Sequence, residues 1–368
     1  MTFPPSPTQP HDTDVLKYIA RAYTASTAAR NMTEGYSATS GPHARFGPSA
    51  SGIVRSRPSL RRSSPDAGHV ALRANLLQGF GGVIPANDTG IWSENGGSLA
   101  LLAREGGPPP DTDVGVIFDD FNDQFFSLGM GASGHTTFEA SLLTGAGGVT
   151  SANNFGIWSD ASGTLTLVAR KGFPAPTPDN ANFSFFYPPS VNASGHVAVS
   201  AALQVGSGGA NSSNDSGVWS QGSGSLALIV RKGEVAPGVT DNARFDGRFQ
   251  TPAINAAGNY AFYAYLATAV TNDTGIWTDS RGFLPTLGLR LVARTGQHAP
   301  GTPAGANFRY LSGVTIAANS LISFGAELDT SSGGVTLDNR NGIWAEFSRL
   351  LGTPALALVA RAGDSAPD

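Results

Sequence analysis

The sequence predicts an all-β protein, a β-propeller with five visible four-stranded repeats of about 60 residues. Three observations carry that expectation. A hexapeptide Asn-x-x-Gly-(Ile/Val)-Trp opens at Asn87, Asn153, Asn214, Asn272 and Asn339, and it holds all five tryptophans: Trp92, Trp158, Trp219, Trp277 and Trp344. An arginine follows each tryptophan, 12 residues on at Arg104, Arg170 and Arg231 and 17 residues on at Arg294 and Arg361. Each repeat also divides into four apolar segments of strand length. A lone four-stranded sheet has two apolar faces to cover, and stacking sheets around an axis covers both. A β-sandwich array or a β-solenoid is the competing all-β tandem architecture, but a solenoid uses a shorter rung.

Residues 1–62 read as a leader and linker. Val15, Leu16, Ile19 and Tyr23 follow helical spacing behind a cap at Asp12-Thr13-Asp14, which predicts a short helix over Thr13–Ala25. Residues 41–63 are rich in Pro, Ser and Arg (Arg55, Arg57, Arg61, Arg62) and read as a solvated linker or a degenerate first strand. A basic patch for an anionic surface is the sharper and less favoured alternative.

The repeat domain spans 63–368, with repeats at about 63–110, 111–176, 177–237, 238–300 and 301–368. The first strand of each is short and ends in a turn, as at Pro189–Gly195 and Pro252–Gly258. The second follows at once, as at His196–Leu203 and Asn259–Leu266. It carries an Ala-x-Leu pair at Ala74/Leu76, Ala140/Leu142, Ala201/Leu203, Ala264/Leu266 and Ala326/Leu328, with a large residue two places earlier. Large, Ala and Leu at i, i+2 and i+4 share one strand face, and the Ala implies close packing of another layer. The third strand is Gly-Ile-Trp. The fourth ends in Leu-Val-Ala-Arg or a variant of it, as at Leu165–Arg170. A Gly and a Pro then open a loop at 106/110, 172/176, 233/237, 296/300 and 363/367. The spacing between hexapeptide glycines varies because loops vary; the connection before Asn272 is five residues shorter than its counterparts. The sequence closes inside the last Gly/Pro element, at Ala366-Pro367-Asp368, which reads as a cut through a motif.

Composition narrows the function classes. Net charge is −4 without a basic face, against a nucleic-acid partner. The absence of cysteine removes disulfides, thiol catalysis and Cys-ligated zinc. No apolar run is long enough for a membrane span, and Met1–Pro10 lacks the basic and apolar regions of a secretion signal. A monomer is expected.

The turn Asn255-Ala256-Ala257-Gly258-Asn259-Tyr260-Ala261-Phe262, with its counterpart Asn192–Val199, resembles the NxxGxxAF tandem repeat of bacterial secreted and surface proteins. The resemblance covers about residues 63–368. It departs at Pro65 and Gly131, which replace the first Asn, and at Ala317 and Ser320, which replace Asn and Gly. It implies an extracellular or cell-surface location and no settled activity. Ser64-Pro65-Asp66-Ala67-Gly68 is also similar to the Ser-Pro-Asp-Gly turn of the periplasmic propeller repeats of the Tol system, which supports the propeller and not a function.

Candidate chemistry is sparse. Ser213–Trp219 comes close to the Asp-box of sialidases but is one residue short, and Asp-boxes are themselves structural turns. The structural reading suits all five hexapeptides: the Asn side chain is expected to bond its own backbone two residues on, and the Gly to take a positive φ. Asn87 and Asn272 also match the glycosylation pattern, which is common by chance. The five arginines read as structural, each bonding loop carbonyls or an Asp, in preference to a ring of anion sites. Asp119-Asp120-Phe121-Asn122-Asp123 is the densest acidic cluster, where this repeat has a longer loop. An oxygen-rich loop is where Ca²⁺ would find ligands, but the Ca²⁺-loop spacing and its Gly are missing, so a solvated loop is favoured and no cofactor is expected. The neighbouring Phe121, Phe125, Phe126, Phe185, Phe186 and Tyr187 would suit a sugar if exposed, though most should be core. His69, His135 and His196 share one slot and so one structural role. No metal-ligand spacing, nucleophile elbow or phosphate loop occurs.

The expectation is a non-enzymatic repeat propeller, secreted or surface-associated, that binds or scaffolds. Carbohydrate or protein is the expected partner class, on the face carrying the second-to-third and fourth-to-first strand connections. Asp119, Asp120, Asp123 and Tyr187 are the candidate ligand contacts. A glycan-active propeller enzyme, hydrolase or lyase, using Asp119, Asp120, Asp123 or Glu139, is the alternative.

Overall fold

The computed structural model describes residues 69–94, 98–121, 127–222, 224–270, 273–279, 288–348 and 354–365. The leader, with its expected helix, lies outside them, as do Asn122, Asp123, Phe125, Phe126 and Asn272. The described residues are all β, with no helix, in five antiparallel sheets that follow one another along the chain.

The first sheet holds β1 (Ala71–Asn75), β2 (Thr89–Ser93) and β3 (Ala100–Arg104), and the second β4 (Leu128–Met130), β5 (Thr136–Ser141), β6 (Phe155–Ser159) and β7 (Thr166–Arg170). In the third, the first strand is split into β8 (Phe183–Phe186) and β9 (Ser190–Val191), ahead of β10 (Val197–Leu203), β11 (Ser216–Ser220) and β12 (Ala227–Arg231). The fourth repeats this with β13 (Arg244–Phe249), β14 (Ala253–Ile254), β15 (Tyr260–Ala267), β16 (Thr274–Thr278) and β17 (Arg290–Arg294). The fifth is β18 (Phe308–Ile316), β19 (Ile322–Leu328), β20 (Asn341–Phe347) and β21 (Ala355–Arg361).

Register is the same in every sheet. The large residue of the second strand faces Trp, and the Ala faces the Gly of the third strand: Leu72↔Trp92, Phe138↔Trp158, Val199↔Trp219, Phe262↔Trp277 and Phe324↔Trp344. A bulge sits between the Ile/Val and the Trp of all five third strands, where the fourth strand contributes one extra residue.

Because side chains alternate, each sheet has a Trp face and an Ile face. The Ile face of one sheet packs on the Trp face of the next. Ile91 and Ala103 join Phe118, Phe138 and Trp158; Ile157 and Ala169 join Phe183, Val199 and Trp219. Val218 and Val230 join Phe245, Phe262 and Trp277; Ile276 and Ala293 join Phe308, Phe324 and Trp344. Inside each such core the indole meets a Phe edge-on at ring distances of 4.9–5.1 Å, from the first strand as in Phe245–Trp277 or, in the second sheet, from an isolated bridge ahead of it, Phe118–Trp158. In three sheets it also stacks on the second-strand Phe, as in Phe262–Trp277 at 6.2 Å and 20°.

The hexapeptide glycines correct the expected positive φ: none of Gly90, Gly156, Gly217, Gly275 and Gly342 is among the positive-φ residues. They are in strand, and their role is room. The indole two residues on folds back over each one, so that a Cβ at Gly90 or Gly156 would lie 2.8 Å from the Trp Cη2, and one at Gly275 2.5 Å. The Asn side chain also differs from expectation. Its Oδ1 accepts the main-chain N–H three residues back, from Ile84 to Asn87, Thr150 to Asn153, Asn211 to Asn214 and Thr336 to Asn339, at 2.7–2.9 Å. The turn is thus closed from its C-terminal end, which leaves the Asn carbonyl free for another donor.

Candidate functional site

That donor is the repeated arginine. Arg104 Nε donates to the Asn87 carbonyl at 2.8 Å, Arg170 to Asn153 at 2.9 Å and Arg361 to Asn339 at 2.6 Å, and Arg231 does the same to Asn214. The guanidinium therefore ties the end of the fourth strand to the start of the third. Arg231 Nη1 also reaches Asp179 Oδ2 at 2.7 Å, in the connection that leads into the same sheet. Arg294 is held by two carboxylates: Nε and Nη2 donate to Asp273 at 2.9 and 2.6 Å, and Nη1 and Nη2 to Asp241 at 3.1 and 2.6 Å. These bonds push the Arg294 pKa up, and those from Arg231 and Arg294 hold Asp179 and Asp241 below the usual carboxylate range. Each of the five arginines is thus bound within its own repeat.

A second polar slot escaped the sequence reading. Two residues after Trp, an acid or amide accepts the first main-chain N–H at the start of the second strand. Asp160 takes Thr136 N at 2.6 Å, Gln221 takes Val197 N at 2.9 Å, Asp279 takes Tyr260 N at 2.8 Å and Glu346 takes Ile322 N at 3.1 Å. Glu346 is also gripped from the neighbouring sheet by Arg290, at 2.7 and 2.9 Å. His135 Nδ1 lies 3.1 Å from the Asp160 carbonyl, and His69 lies against Gly134.

The tight turns between first and second strands meet one another. Asn192 Oδ1 closes its turn by accepting Ser194 N and His196 N at 2.9 Å, and Asn255 Oδ1 does so for Ala257 N and Asn259 N at 3.1 and 3.0 Å. Gly131, which takes the Asn place in the second repeat, is pressed against the Asn192 carbonyl.

Of the candidate contacts, Asp119, Asp120 and Tyr187 are described and Asp123 is not. Asp119 is half-buried, its N–H bonded to the Ser141 carbonyl at 3.0 Å, and its Oδ1 accepts Asp120 N at 2.9 Å. Phe121 and Phe186 are core residues, not exposed platforms. Tyr187 is exposed, stands edge-on to Phe185 at 5.2 Å, and is fixed through its N–H to the Ser200 carbonyl at 3.0 Å.

Asp119 and Asp120 gain neighbours that their own loop does not supply. Glu105, buried at the junction of the first two sheets, accepts Thr89 N at 3.1 Å and Thr89 Oγ1 at 3.0 Å. Burial pushes its pKa up; the Thr89 bonds pull the other way, and the charges of Asp120 and Asp88 add to the rise. Arg73 Nη1 donates to the Phe121 carbonyl at 2.8 Å, and Glu139 is buried on β5. Among the described residues no three His, Asp or Glu side chains form a group able to hold a metal ion.

The second-to-third strand connections expose apolar side chains. Each of the five presents at least one: Leu77, Leu143, Val205, Val270 and Leu337, with Phe80 and Ile84 added in the first.

Among curated proteins none matches this sequence. A solved structure of a GH43 beta 1,3 galactosidase resembles it at a TM-score of 0.26 and 11% identity, over 81% of this chain. The chain spans 57% of the length of that structure's chain. A family model matches twice, over residues 59–213 and 205–368, and so accounts for all five repeats. The chain belongs to that family, DUF7453, a family of unknown function.

Proposed function

We propose that this chain is a non-catalytic repeat protein of the propeller type, exported or held at a cell surface, that binds or scaffolds. One observation carries the reading: all five second-to-third strand connections expose a large apolar side chain on one face. A single exposed apolar residue on a surface is ordinary, but one from every repeat, on loops of which four are clamped at their base by the Asn turn and the arginine, makes a preorganised contact surface. Protein or carbohydrate fits such a surface, with Asp119, Asp120, Asp123 and Tyr187 supplying its polar contacts. The test is a binding screen of the purified chain against oligosaccharides and cell-surface proteins, with and without Ca²⁺. Leu143, Val205, Val270 and Leu337 are changed together to Ser in one variant, and the four polar residues to Ala in another. Loss of binding at unchanged thermal stability supports the reading. Binding that survives both variants, or maps to the turns around Asn192–Gly195, defeats it.

One observation favours the alternative, a glycan-active enzyme. Glu105 keeps its proton more readily than an ordinary carboxyl and lies beside Asp120, the pairing of a general acid with a charged partner. Turnover of an oligosaccharide that is abolished in both Glu105→Gln and Asp120→Asn would establish it.

A further inference from the structure

Among the described residues four Ile faces are covered and one is bare. Ile91, Ile157, Val218 and Ile276 are all 0% exposed, whereas Ile343, in the same slot of the last sheet, is 51% exposed. Its companions on that face are open too: Phe347 at 50%, Val359 at 56% and Tyr310 at 51%. Register puts them together, since Gly325 pairs with Ile343 and Glu327 with Tyr310, and Phe347 lies four residues along β20 from Ile343. A rim of charge flanks the patch, with Glu327 between Arg309 at 3.1 Å and Arg340 at 3.6 Å. An apolar centre with a polar rim is the anatomy of an interface. A terminal repeat that served as a cap would turn a polar face outward.

We infer that this face docks the Trp face of a further sheet of the same repeat. All four interfaces inside the chain are of this one kind, Ile face on Trp face, so the chain itself shows what such a surface takes. The polar link at that interface is repeated as well. The indole Nε1 donates to the carbonyl of the proline that ends the preceding repeat, from Trp158 to Pro110 at 3.3 Å, Trp277 to Pro237 at 2.9 Å and Trp344 to Pro300 at 2.9 Å. Pro367 stands at the same offset in the last repeat. The first sheet does not supply the occupant, because its Trp face, with Leu72 and Trp92, is already buried. Two copies set end to end would place Ile face on Ile face, a pairing found at none of the four interfaces. The last repeat lacks the turn Asn that bonds its successor, but so does the second repeat, whose Gly131 is followed by the third sheet without it. This inference concerns a different face from the loop surface proposed above and stands apart from it.

The chain has no cysteine, so Ile343→Cys gives a single reporter thiol. It is compared in the 368-residue chain and in a chain in which residues 238–300 are repeated after Pro367, which recreates the Pro237–Gly238 junction. Maleimide labelling should be fast in the first and at least tenfold slower in the second, and fast again when the added copy carries Trp277→Ala. Equal labelling of the two chains overturns the inference. So does slow labelling of the 368-residue chain: if it depends on concentration, a second copy is the occupant, and if it does not, the chain covers the face itself. As a check independent of the added repeat folding, Ile343→Glu should leave the midpoint of the 368-residue chain within about 2 °C, since the side chain is already half in water, while Ile276→Glu should abolish the folded state. A large loss from Ile343→Glu overturns the inference.

Discussion

The side-chain amide of Asn192 donates to the main-chain carbonyl of Asn255, one repeat further on, at 2.9 Å. Asn255 passes the same bond forward, its amide donating to the Ala317 carbonyl and to Ser320 Oγ, both at 2.9 Å. Each Asn thus does two jobs at once, closing its own turn through Oδ1 and holding the next turn through Nδ2. Asn255→Ala should cost about 2–4 kcal/mol, because it strips one donor bond pair and leaves buried N–H groups of its turn unpaired. Asn255→Asp keeps the acceptor but sets a carboxylate against the Ala317 carbonyl, so denaturant titration should show a loss at pH 7 that eases as the acid is protonated. If Asn255→Asp were as stable as the parent at pH 7, the amide would not be the link between repeats.

Trp substitutions separate packing from hydrogen bonding. Trp277→Ala and Trp219→Ala should each cost about 3–5 kcal/mol from the cavity left between sheets. Trp→Phe should distinguish them: Trp277 loses its bond to the Pro237 carbonyl, whereas Trp219 Nε1 is buried without a partner. Trp219→Phe is therefore expected to be milder by about 1–2 kcal/mol in urea denaturation.

Glycine substitutions test the room beneath the indole. Gly275→Ala places a Cβ against Trp277 inside a covered sheet and should cost about 1–3 kcal/mol. Gly325→Ala meets the Ser312 hydroxyl at 3.3 Å, with the Ser312 and Gly342 carbonyls at 3.8 and 4.0 Å, on the uncovered sheet, and should fall within about 0.5 kcal/mol of the parent. Equal effects would mean that the close approach of the ring does not matter.

Glu105 makes a pH prediction with a definite sign. Its folded pKa lies above the unfolded value of about 4.5, so the folded chain holds that proton more tightly. Its contribution to stability is greatest below the unfolded value and is lost as pH rises through the folded one. Glu105→Gln keeps an oxygen for Thr89 and should remove this loss, making the variant the more stable at pH 7 and narrowing the difference at pH 4. Asp179 and Asp241 act in the opposite sense. Their lowered values contribute stability above about pH 3.8 that is lost in acid, and Arg231→Ala and Arg294→Ala should flatten that acid limb.

The five-fold plan was legible because its signals are local: a Trp slot, an Ala-x-Leu face and a Gly/Pro loop recur in the chain at near-constant spacing. The reason for Gly275 was misread because the ring it accommodates folds back from two residues away, which spacing alone does not reveal. The slot two places after Trp was missed since Asp160, Gln221, Asp279 and Glu346 differ in type while sharing one acceptor role. At the candidate site, Asp119 and Asp120 stood out by density within one loop. Glu105 did not, because it comes from another connection and feels the charge of Asp120 only where the first two sheets stack.

The one-way packing of Ile face on Trp face gives the chain a polarity, as a row of nested cups has one. Whole repeats can be gained or lost without presenting an unfamiliar surface, since every new junction reproduces an old one. A duplication that began and ended within a sheet at unlike strands would instead bring two like faces together. Length in this family is therefore expected to change in steps of one whole unit, and recombination points should cluster in the Gly/Pro connections that separate them.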